Sequence, residues 1–473
     1  MATTTNFQSY NLKGLNLQLN PLTQNNSNQT EFLQLINMDS QPFGGKTKRP
    51  GYGTYLSSLG TKIETLFDWH KDNGTQFWNY AVAGGTLFSS TQGTGAWTVT
   101  GNGTVTGGDN IFHGVLANTL MITSPNGTTR HSTTGTSFTD TTSAPTAGVG
   151  IVPFQNRMWV AGTANSVSYS TTGTPTDWTT DDGVYNFTGA SKLLSAFKGQ
   201  DRLVVTFTNG NIFRYDGYNA TDMATDLGPT SAKSIVNVED FRFYLNRRGY
   251  IGYGNKPTLI SNPIQPQIYN NAGSGIVGTV FDSAPSGNYR YDIYTAVGTV
   301  TDDFTDETIN NCIQKYNFQL DEWANYDFAN LPTAYNTYKD VDGVERNIFG
   351  DSSGQCYTFG GTATSDNGAV INATMQMVYH AGVPQYSKKW SWLYMFFNPG
   401  CEATIQVACE DVFTKGSKKW IDVGQAKNGF VEFGFPPNTR SKLLFIRVKE
   451  SSSTTPFSYY GLAVDATVEG VNR

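Results

Sequence analysis

Three short stretches of the sequence share a serine–threonine core, a glycine and a following aromatic residue. They read SSTQGTGAW (Ser89 to Trp97), HSTTGTSF (His131 to Phe138) and YSTTGTPTDW (Tyr169 to Trp178). The aligned serines, Ser90, Ser132 and Ser170, are 42 and 38 residues apart. Periods of about 40 residues built from short strands are typical of β-propellers. We therefore expect the same turn in successive blades, with the aromatic residues Trp97, Phe138 and Trp178 in the core.

Each core is preceded by an apolar run, a tight turn and a second apolar run. Asn-Gly and Gly-Gly between such runs are strong hairpin signals. The turns fall near Asn165 in the third copy and at Gly85, Gly127, Gly210, Gly249 and Gly354 in the others. The interval between the last two leaves room for one more unit with an insertion. This pattern predicts six or seven blades between about Ile63 and Gly361, with these turns on one face.

The two ends of the chain lack this period. From about Asp366 onward, runs such as KKWSWLYMFF (Lys388 to Phe397) alternate in part and predict a β-sandwich. The first sixty residues are polar and predict an extended arm lying along the body or along a neighbouring subunit. The sequence thus indicates an all-β protein with an arm at 1–60, a propeller at 61–365 and a sandwich at 366–473.

A short basic run, GGKTKRPGY, lies in the predicted arm. Its cationic residues are Lys46, Lys48 and Arg49. The simplest interpretation is a solvated turn. A more specific interpretation is that these residues make a basic contact to an adjacent subunit.

No local motif indicates catalysis or a bound metal. The four histidines (His70, His113, His131 and His380) and the four cysteines (Cys312, Cys356, Cys401 and Cys409) do not follow metal-site spacings. We expect buried, reduced thiols. The acidic runs TTDDG (Thr179 to Gly183) and TDDFTDE (Thr301 to Glu307) lack EF-hand spacing and are interpreted as solvated loops. We predict a protein that is not an enzyme and has no catalytic, cofactor-binding or metal-binding residues.

The net charge is −6 with a pI near 5.3, whereas sequence-specific DNA-binding domains are more often basic. A mildly acidic surface suits DNA that must slide past without adhering, although ordinary solubility explains the charge equally well. The N-terminus lacks the pattern of a secretory signal, and no apolar run has membrane-spanning length. We expect synthesis in the cytoplasm.

The order of several short motifs resembles the tail nozzle and tail hub (packaged-DNA stabilisation) proteins of short-tailed bacteriophages. The matching positions are Asn11 to Gly14, Pro21, Asn37 and Lys48 to Pro50, followed later by FGDSSGQCYTF (Phe349 to Phe359). The resemblance implies a structural virion protein that assembles as a ring, usually of six copies, below the portal and adaptor rings. Such a ring forms part of the DNA ejection channel, which a needle or plug closes. It implies a location in the virion tail, no catalytic residues, and DNA that passes without specific binding.

Two alternatives remain open. A glycan- or receptor-binding module would use exposed aromatic side chains, with Trp390 and Trp392 as candidates. A propeller glycosidase of the sialidase kind is less favoured, because the sialidase Asp box has an aspartate ahead of the glycine, where this chain has threonine or glutamine. No local signature marks the arginine cluster and Tyr–Glu pair that such an enzyme needs.

Overall fold

Strands dominate this computed structural model of the chain. It describes residues 4–9, 11–15, 29–41, 45–71, 76–91, 95–105, 111–162, 164–187, 193–198, 202–238, 241–254, 257–271, 286–289, 292–301, 308–380, 385–412, 418–426, 429–452 and 457–469. Pro21 and the acidic pair Asp302–Asp303 lie outside the described residues.

The N-terminal strands are β1 (Thr4–Ser9), β2 (Asn11–Leu15), β3 (Gln29–Ile36), β4 (Met38–Ser40), β5 (Lys46–Lys48) and β6 (Tyr52–Tyr55). Blades 1 to 3 comprise β7 (Ile63–His70), β8 (Phe77–Ala83), β9 (Thr86–Thr91), β10 (Thr98–Thr104), β11 (Phe112–Leu116), β12 (Thr119–Thr123), β13 (Arg130–Ser132), β14 (Thr139–Asp140), β15 (Gly148–Phe154), β16 (Arg157–Gly162), β17 (Ser166–Tyr169) and β18 (Gly183–Asn186). Blades 4 and 5 comprise β19 (Leu193–Lys198), β20 (Leu203–Phe207), β21 (Ile212–Tyr215), β22 (Ala220–Ala224), β23 (Val236–Val238), β24 (Phe241–Asn246), β25 (Gly249–Tyr253) and β26 (Pro257–Leu259).

One helix, α1 (Gln265–Asn271), precedes blade 6, which contains β27 (Ser286–Tyr289), β28 (Asp292–Thr301), β29 (Thr308–Asn317) and β30 (Glu322–Asp327). Blade 7 contains β31 (Ala334–Lys339), β32 (Glu345–Gly350) and β33 (Cys356–Phe359). The remaining strands are β34 (Ala373–Tyr379), β35 (Lys388–Phe397), β36 (Thr404–Glu410), β37 (Ile421–Gln425), β38 (Phe430–Gly434), β39 (Arg440–Ser441), β40 (Leu443–Glu450) and β41 (Ser458–Val468). Single 3₁₀ turns span Ala232–Ser234 and Asn262–Ile264.

The described strands of the middle of the chain form a seven-bladed β-propeller. Six blades are separate four-stranded antiparallel sheets, and the four strands β27 to β30 make the other one. Its first strand, β27, lies between β23 and β31, as the innermost strand of a blade must. Strand β31 in turn lies against β7, which brings the last blade against the first. The propeller prediction is therefore confirmed.

The N-terminal segment closes the ring. Strand β6 pairs with β33 in antiparallel register, from Tyr52 opposite Phe359 to Tyr55 opposite Cys356, and forms the outermost strand of blade 7. The first and last parts of the propeller are thereby joined by backbone hydrogen bonds within one sheet.

The repeated serine motif occupies the same place in blades 1, 2 and 3, at the end of the third strand. The three serines are buried, and each hydroxyl bonds to the nearby backbone. Ser90 Oγ donates to the Gly95 carbonyl at 3.1 Å, whereas Ser132 Oγ and Ser170 Oγ accept from the amides of Gly135 and Met158 at 3.0 Å. A buried hydroxyl that satisfies a backbone group explains why serine recurs at this point.

The aromatic residue after each motif packs against the preceding blade. The Trp97 ring lies 6.3 Å from that of Tyr55 in blade 7, and the Phe138 ring lies 6.0 Å from that of Tyr80 in blade 1. Trp178 joins a cluster with Met121 of blade 2. The prediction that these residues pack between blades is confirmed.

The hairpin turns near 85, 127, 165, 210, 249 and 354 all connect the second strand of a blade to its third strand. They therefore lie on one face of the propeller, as predicted, and we term this the hairpin face.

Replacing the turn glycine of blade 2 is expected to be costly. Gly135 has a φ of +85°, and an added Cβ would lie 2.4 Å from the Trp78 ring. Left-handed strain and overpacking together should make Gly135→Ala destabilising by about 3 kcal/mol. Gly343→Ala is the matched control, because Gly343 has a φ of +75° with nothing within 4 Å of the added Cβ and should lose about 1 kcal/mol. Urea unfolding of both variants measures the difference, and equal losses would show that the Trp78 contact is unimportant.

The C-terminal strands form two stacked sheets, which makes this part a β-sandwich. One sheet contains β34, β36, β37 and β40, and the other contains β35, β38, β39 and β41. Their facing side chains, such as Met375 and Ile446 on the first sheet and Leu393 and Val464 on the second, belong to one buried cluster. The same cluster includes Phe243 of blade 5, so the sandwich and the propeller share a continuous core.

The segment predicted as an arm contributes strands to the sheets of both the propeller and the sandwich. Strand β3 lies between β30 of blade 6 and β34 of the sandwich, so a single sheet runs from the propeller into the sandwich. Strands β1, β4 and β5 belong to the second sandwich sheet, and β2 pairs with β3. This polar segment could not form a hydrophobic core of its own, and it is held in place by β-sheet hydrogen bonds to strands of the propeller and the sandwich.

Candidate functional site

The basic run is buried, and both interpretations of it are wrong. Lys46 is 0% exposed and bonds to Glu322 at 2.9 Å, while Lys48 bonds to Glu450 at 2.6 Å. Burial lowers the pKa of Lys46, and the neighbouring Glu322 carboxylate opposes that shift. The partners belong to the same chain, so the run is neither a solvated turn nor a basic contact presented to another subunit.

Arg49 is the centre of this region. Its side chain forms a two-point contact with the Asp366 carboxylate at 2.8 and 2.7 Å. The other three N–H groups donate to Asn37 Oδ1 at 2.7 Å, to the Asp327 carbonyl at 2.8 Å and to the Pro50 carbonyl at 3.0 Å. All five guanidinium donors are therefore used. Arg49 thus connects the N-terminal segment, the outermost strand of blade 6 and the connection between the propeller and the sandwich; we call these contacts the Arg49 junction.

A second buried ionic group lies beside the junction. Lys315 of blade 6 bonds to Asp39 of β4 and lies 3.2 Å from the Asp292 carboxylate. Burial alone would lower the pKa of Lys315, but the two carboxylates outweigh it and raise the pKa. The N-terminal segment is therefore held to blade 6 by charged pairs as well as by backbone bonds.

Exposed aromatic side chains form a row on the outer surface of the sandwich, which we term the aromatic face. It comprises the exposed rings of Trp392 and Phe396 on β35 and of Phe430 on β38, together with the half-buried ring of Tyr394 on β35. The ring centroids of Trp392 and Tyr394 lie 6.4 Å apart, and those of Tyr394 and Phe430 lie 6.2 Å apart, with planes within 22° of parallel. Trp392 is 43% exposed and Phe430 is 42% exposed.

A β-bulge determines which tryptophan reaches this face. The register of β35 on β41 shifts between Trp390 and Trp392, which lie opposite the consecutive residues Ala466 and Asp465. Such a bulge turns residues two apart to opposite sides of the sheet. Trp390 is consequently 1% exposed and donates its indole N–H to Ser441 Oγ at 2.7 Å. The prediction for Trp390 as a ligand-stacking residue is wrong, whereas Trp392 is exposed as expected.

The aromatic face carries negative charge at its centre. Glu432 lies opposite Tyr394 on β38, and Asp465 lies opposite Trp392 on β41. Partial burial and the carboxylates of Asp465 and Glu432 raise the pKa of the Tyr394 hydroxyl. The residues beside the rings on the neighbouring strands are small: Gly434 lies opposite Trp392, and Ala463 lies opposite Tyr394. The rings therefore stand above the adjacent sheet surface. An added Cβ at Gly434 would approach the Trp392 ring to 3.0 Å, so glycine allows the indole to lie over this strand.

A cavity of about 390 Å³ lies on the propeller axis. The innermost strands of six blades line it, and its titratable side chains are Glu64, His113, Lys233, Arg242 and Tyr335. Lys233, ahead of blade 5, places its ammonium 3.5 Å from the Glu64 carbonyl of blade 1, across the axis. A cavity of this volume is within the range of sites that bind small molecules. Among its lining residues Arg242 is the one arginine, whereas a sialidase site requires a cluster.

The titratable residues outside these regions are dispersed. Within the part of the chain that the structure describes, no group of three or more His, Cys, Asp or Glu side chains is placed to hold a metal ion. The cysteines are free, and Cys312, Cys356 and Cys401 are buried as predicted, while Cys409 is half-buried. Burial raises the pKa of the Cys356 thiol to about 12. His113 borders the axial cavity and stacks on Phe67, and the partial desolvation of its imidazole by the surrounding protein lowers its pKa.

The acidic loop predicted around Asp181 and Asp182 lies on the propeller face opposite the hairpin face. Both residues are exposed, and Asp181 bonds to Arg157 at 2.6 Å. In the same loop, hydrogen bonds from Thr180 and Thr179 lower the pKa of Asp177 to about 2. None of the helices among the described residues is long and apolar enough to cross a membrane.

A comparison of the sequence with protein-family models and with curated proteins found no match. Among solved structures, the chain is similar to the WD40 β-propeller domain of Doa1, with 9% identity, a TM-score of 0.42 and coverage of 66% of this chain and 97% of that one. It is also similar to YCF48 from Cyanidioschyzon merolae, with 11% identity, a TM-score of 0.42 and coverage of 66% and 98%. For BamB from Moraxella catarrhalis the identity is 11%, the TM-score is 0.38, and the coverage is 69% and 93%.

Proposed function

We propose that the protein is a structural component of a bacteriophage tail, of the nozzle or hub kind, and that it acts as a ring of identical copies. The Arg49 junction carries this proposal. The residues through which the sequence resembles such proteins include Asn37 and Lys48 to Pro50, and these residues form the junction or its immediate flank. The resemblance therefore falls on contacts that join the propeller to the sandwich, which suits a structural protein whose two parts must stay rigidly connected.

The proposed assembly lies below the portal and adaptor rings and contributes to the DNA ejection channel. The channel runs along the axis of the ring of copies and not along the propeller axis, across which the Lys233 ammonium contacts the Glu64 carbonyl at 3.5 Å. The exposed acids Asp181 and Asp182 are candidates for the channel wall, since fixed negative charge opposes adhesion of DNA. Needle, plug or fibre proteins would bind the distal end.

The oligomeric state of the purified chain tests this proposal. We expect closed rings of about six copies in negative-stain microscopy, and the matching mass in mass photometry. We also expect no tight binding of duplex DNA at physiological salt, because retained DNA would require many lysine and arginine contacts to phosphates. A chain that stays monomeric at micromolar concentrations with portal and adaptor proteins present, or that binds duplex DNA tightly, would contradict the proposal.

A further inference from the structure

The aromatic face is an unusual surface for a sandwich whose other large apolar side chains are mostly buried. Its four rings occupy adjacent positions on two paired strands, and the cross-strand register places Phe396 directly opposite Phe430. The Phe396 and Phe430 centroids lie 5.4 Å apart, so the row continues without a break from Trp392 to the end of β35. Contiguous exposed apolar surface of this kind marks a binding site more often than chance.

The composition of this surface argues against a protein partner. The cores of protein interfaces are depleted of aspartate and glutamate, yet Glu432 and Asp465 flank Tyr394 in the middle of the row. The exposed ring area is also small. Aromatic side chains have about 150–250 Å² each. Three of the rings are near 40% exposed and Tyr394 is half-buried, so the exposed ring area is at most about 300 Å², well below the roughly 800 Å² per partner of a stable interface.

The same features fit a sugar chain. One side of a pyranose ring presents C–H groups with partial positive charge, which are attracted to the negative face of an aromatic ring. Sugar hydroxyls donate hydrogen bonds, and ionised carboxylates are strong acceptors. Ring centroids spaced at 6.4 and 6.2 Å allow successive sugar units to contact successive side chains. The two carboxylates disfavour an anionic polysaccharide.

We propose that the aromatic face binds an uncharged polysaccharide. Trp392, Tyr394 and Phe430 contact the C–H faces of successive sugar units, while Glu432 and Asp465 accept hydrogen bonds from their hydroxyl groups. The site is distinct from the axial cavity and independent of whether the copies form a ring.

Affinity electrophoresis of the full chain tests this inference, with dextran, galactomannan, glucomannan or laminarin in the gel and alginate as the anionic comparison. We expect retardation by at least one uncharged polysaccharide and none by alginate. Trp392→Ala should weaken binding at least tenfold, and Glu432→Gln should weaken it several-fold. Tyr218→Ala is the matched control, because Tyr218 is 85% exposed on the propeller face opposite the hairpin face and should leave binding unchanged.

Mass photometry and circular dichroism of the same samples separate this inference from the proposed function. Loss of binding in Trp392→Ala with an unchanged fold and unchanged mass supports a sugar site. No retardation of the wild-type chain by any of the four uncharged polysaccharides overturns the inference, and so does equal retardation of Trp392→Ala. A Trp392→Ala variant that loses only self-association also overturns it and assigns the face to copy–copy contact.

Discussion

Replacement of Arg49 by alanine is expected to destabilise the protein by about 3–5 kcal/mol, the usual loss when one partner of a buried ion pair is removed. Asp366 would keep a carboxylate that is 3% exposed and without its guanidinium partner. Asn37 Oδ1 would lose the donated Arg49 bond, and the Asp327 carbonyl would lose a donor as well. The Arg49 side chain also packs over the Phe328 ring, 4.4 Å from its centroid, so alanine leaves a cavity in addition.

The chain contains a matched exposed pair for comparison. Arg248 bonds to Asp226 at 3.0 Å, with side chains 60% and 53% exposed. Solvent-exposed pairs contribute about 0–1 kcal/mol, so Arg248→Ala should be close to neutral. The midpoints of urea unfolding, followed by tryptophan fluorescence, compare the two variants. An Arg49→Ala loss no larger than that of Arg248→Ala would refute the structural importance of the junction.

Two further variants separate charge from geometry. Arg49→Lys keeps the positive charge but cannot reproduce the two-point contact with Asp366 or the other three bonds, so most of the loss should remain. The double variant Arg49→Met/Asp366→Leu removes both charges and should be less destabilised than Arg49→Ala, because no uncompensated buried charge is left. The opposite order of stabilities would mean that desolvation is a minor part of the effect.

The repeat unit was predictable from the sequence because each blade forms from local signals. A buried serine, a turn glycine and an aromatic residue recur in blades 1 to 3, and their partners lie in the same blade or the one before. The junction was not predictable in this way. Lys46, Lys48 and Arg49 find their partners at Glu322, Glu450 and Asp366, hundreds of residues away, and a polar run with distant partners looks like a solvated run.

The composition of the aromatic face could not be predicted from the sequence, for a different reason. Alternation along β35 places Trp390 and Trp392 on the same side of the sheet, and the bulge between them reverses that expectation. No residue in KKWSWLYMFF marks the bulge, since it contains neither glycine nor proline. The acids that characterise the face come from β38 and β41, so only the sheet pairing brings them to Tyr394.

Removal of the N-terminal segment is expected to abolish folding of the propeller as well as of the sandwich. An extended arm that only lies along the body, as the sequence predicts, could be removed and leave the propeller folded. That expectation requires correction, because β6 is the outermost strand of blade 7 and β3 is the strand that joins blade 6 to the sandwich. A chain that begins after residue 57 loses both strands together with the Arg49 junction.

A nested series of truncations distinguishes these contributions. A chain starting at residue 29 lacks β1 and β2, which pair with β41 and β3 at sheet positions remote from the ring closure, so it should stay folded with a lower melting temperature. A chain starting at residue 58 exposes the edge of β33 and the apolar side chains around Tyr52, including Phe349 and Tyr357, whose rings lie within 5.0 Å of the Tyr52 ring. Unpaired strand edges with apolar surface aggregate, so we expect this chain in the insoluble fraction.

Supplying residues 29–57 as a separate peptide during refolding should restore a soluble product, since the missing strands bind through backbone pairing. A soluble chain from residue 58, with a cooperative thermal transition and native near-ultraviolet circular dichroism, would show that the seven blades close without the N-terminal strand.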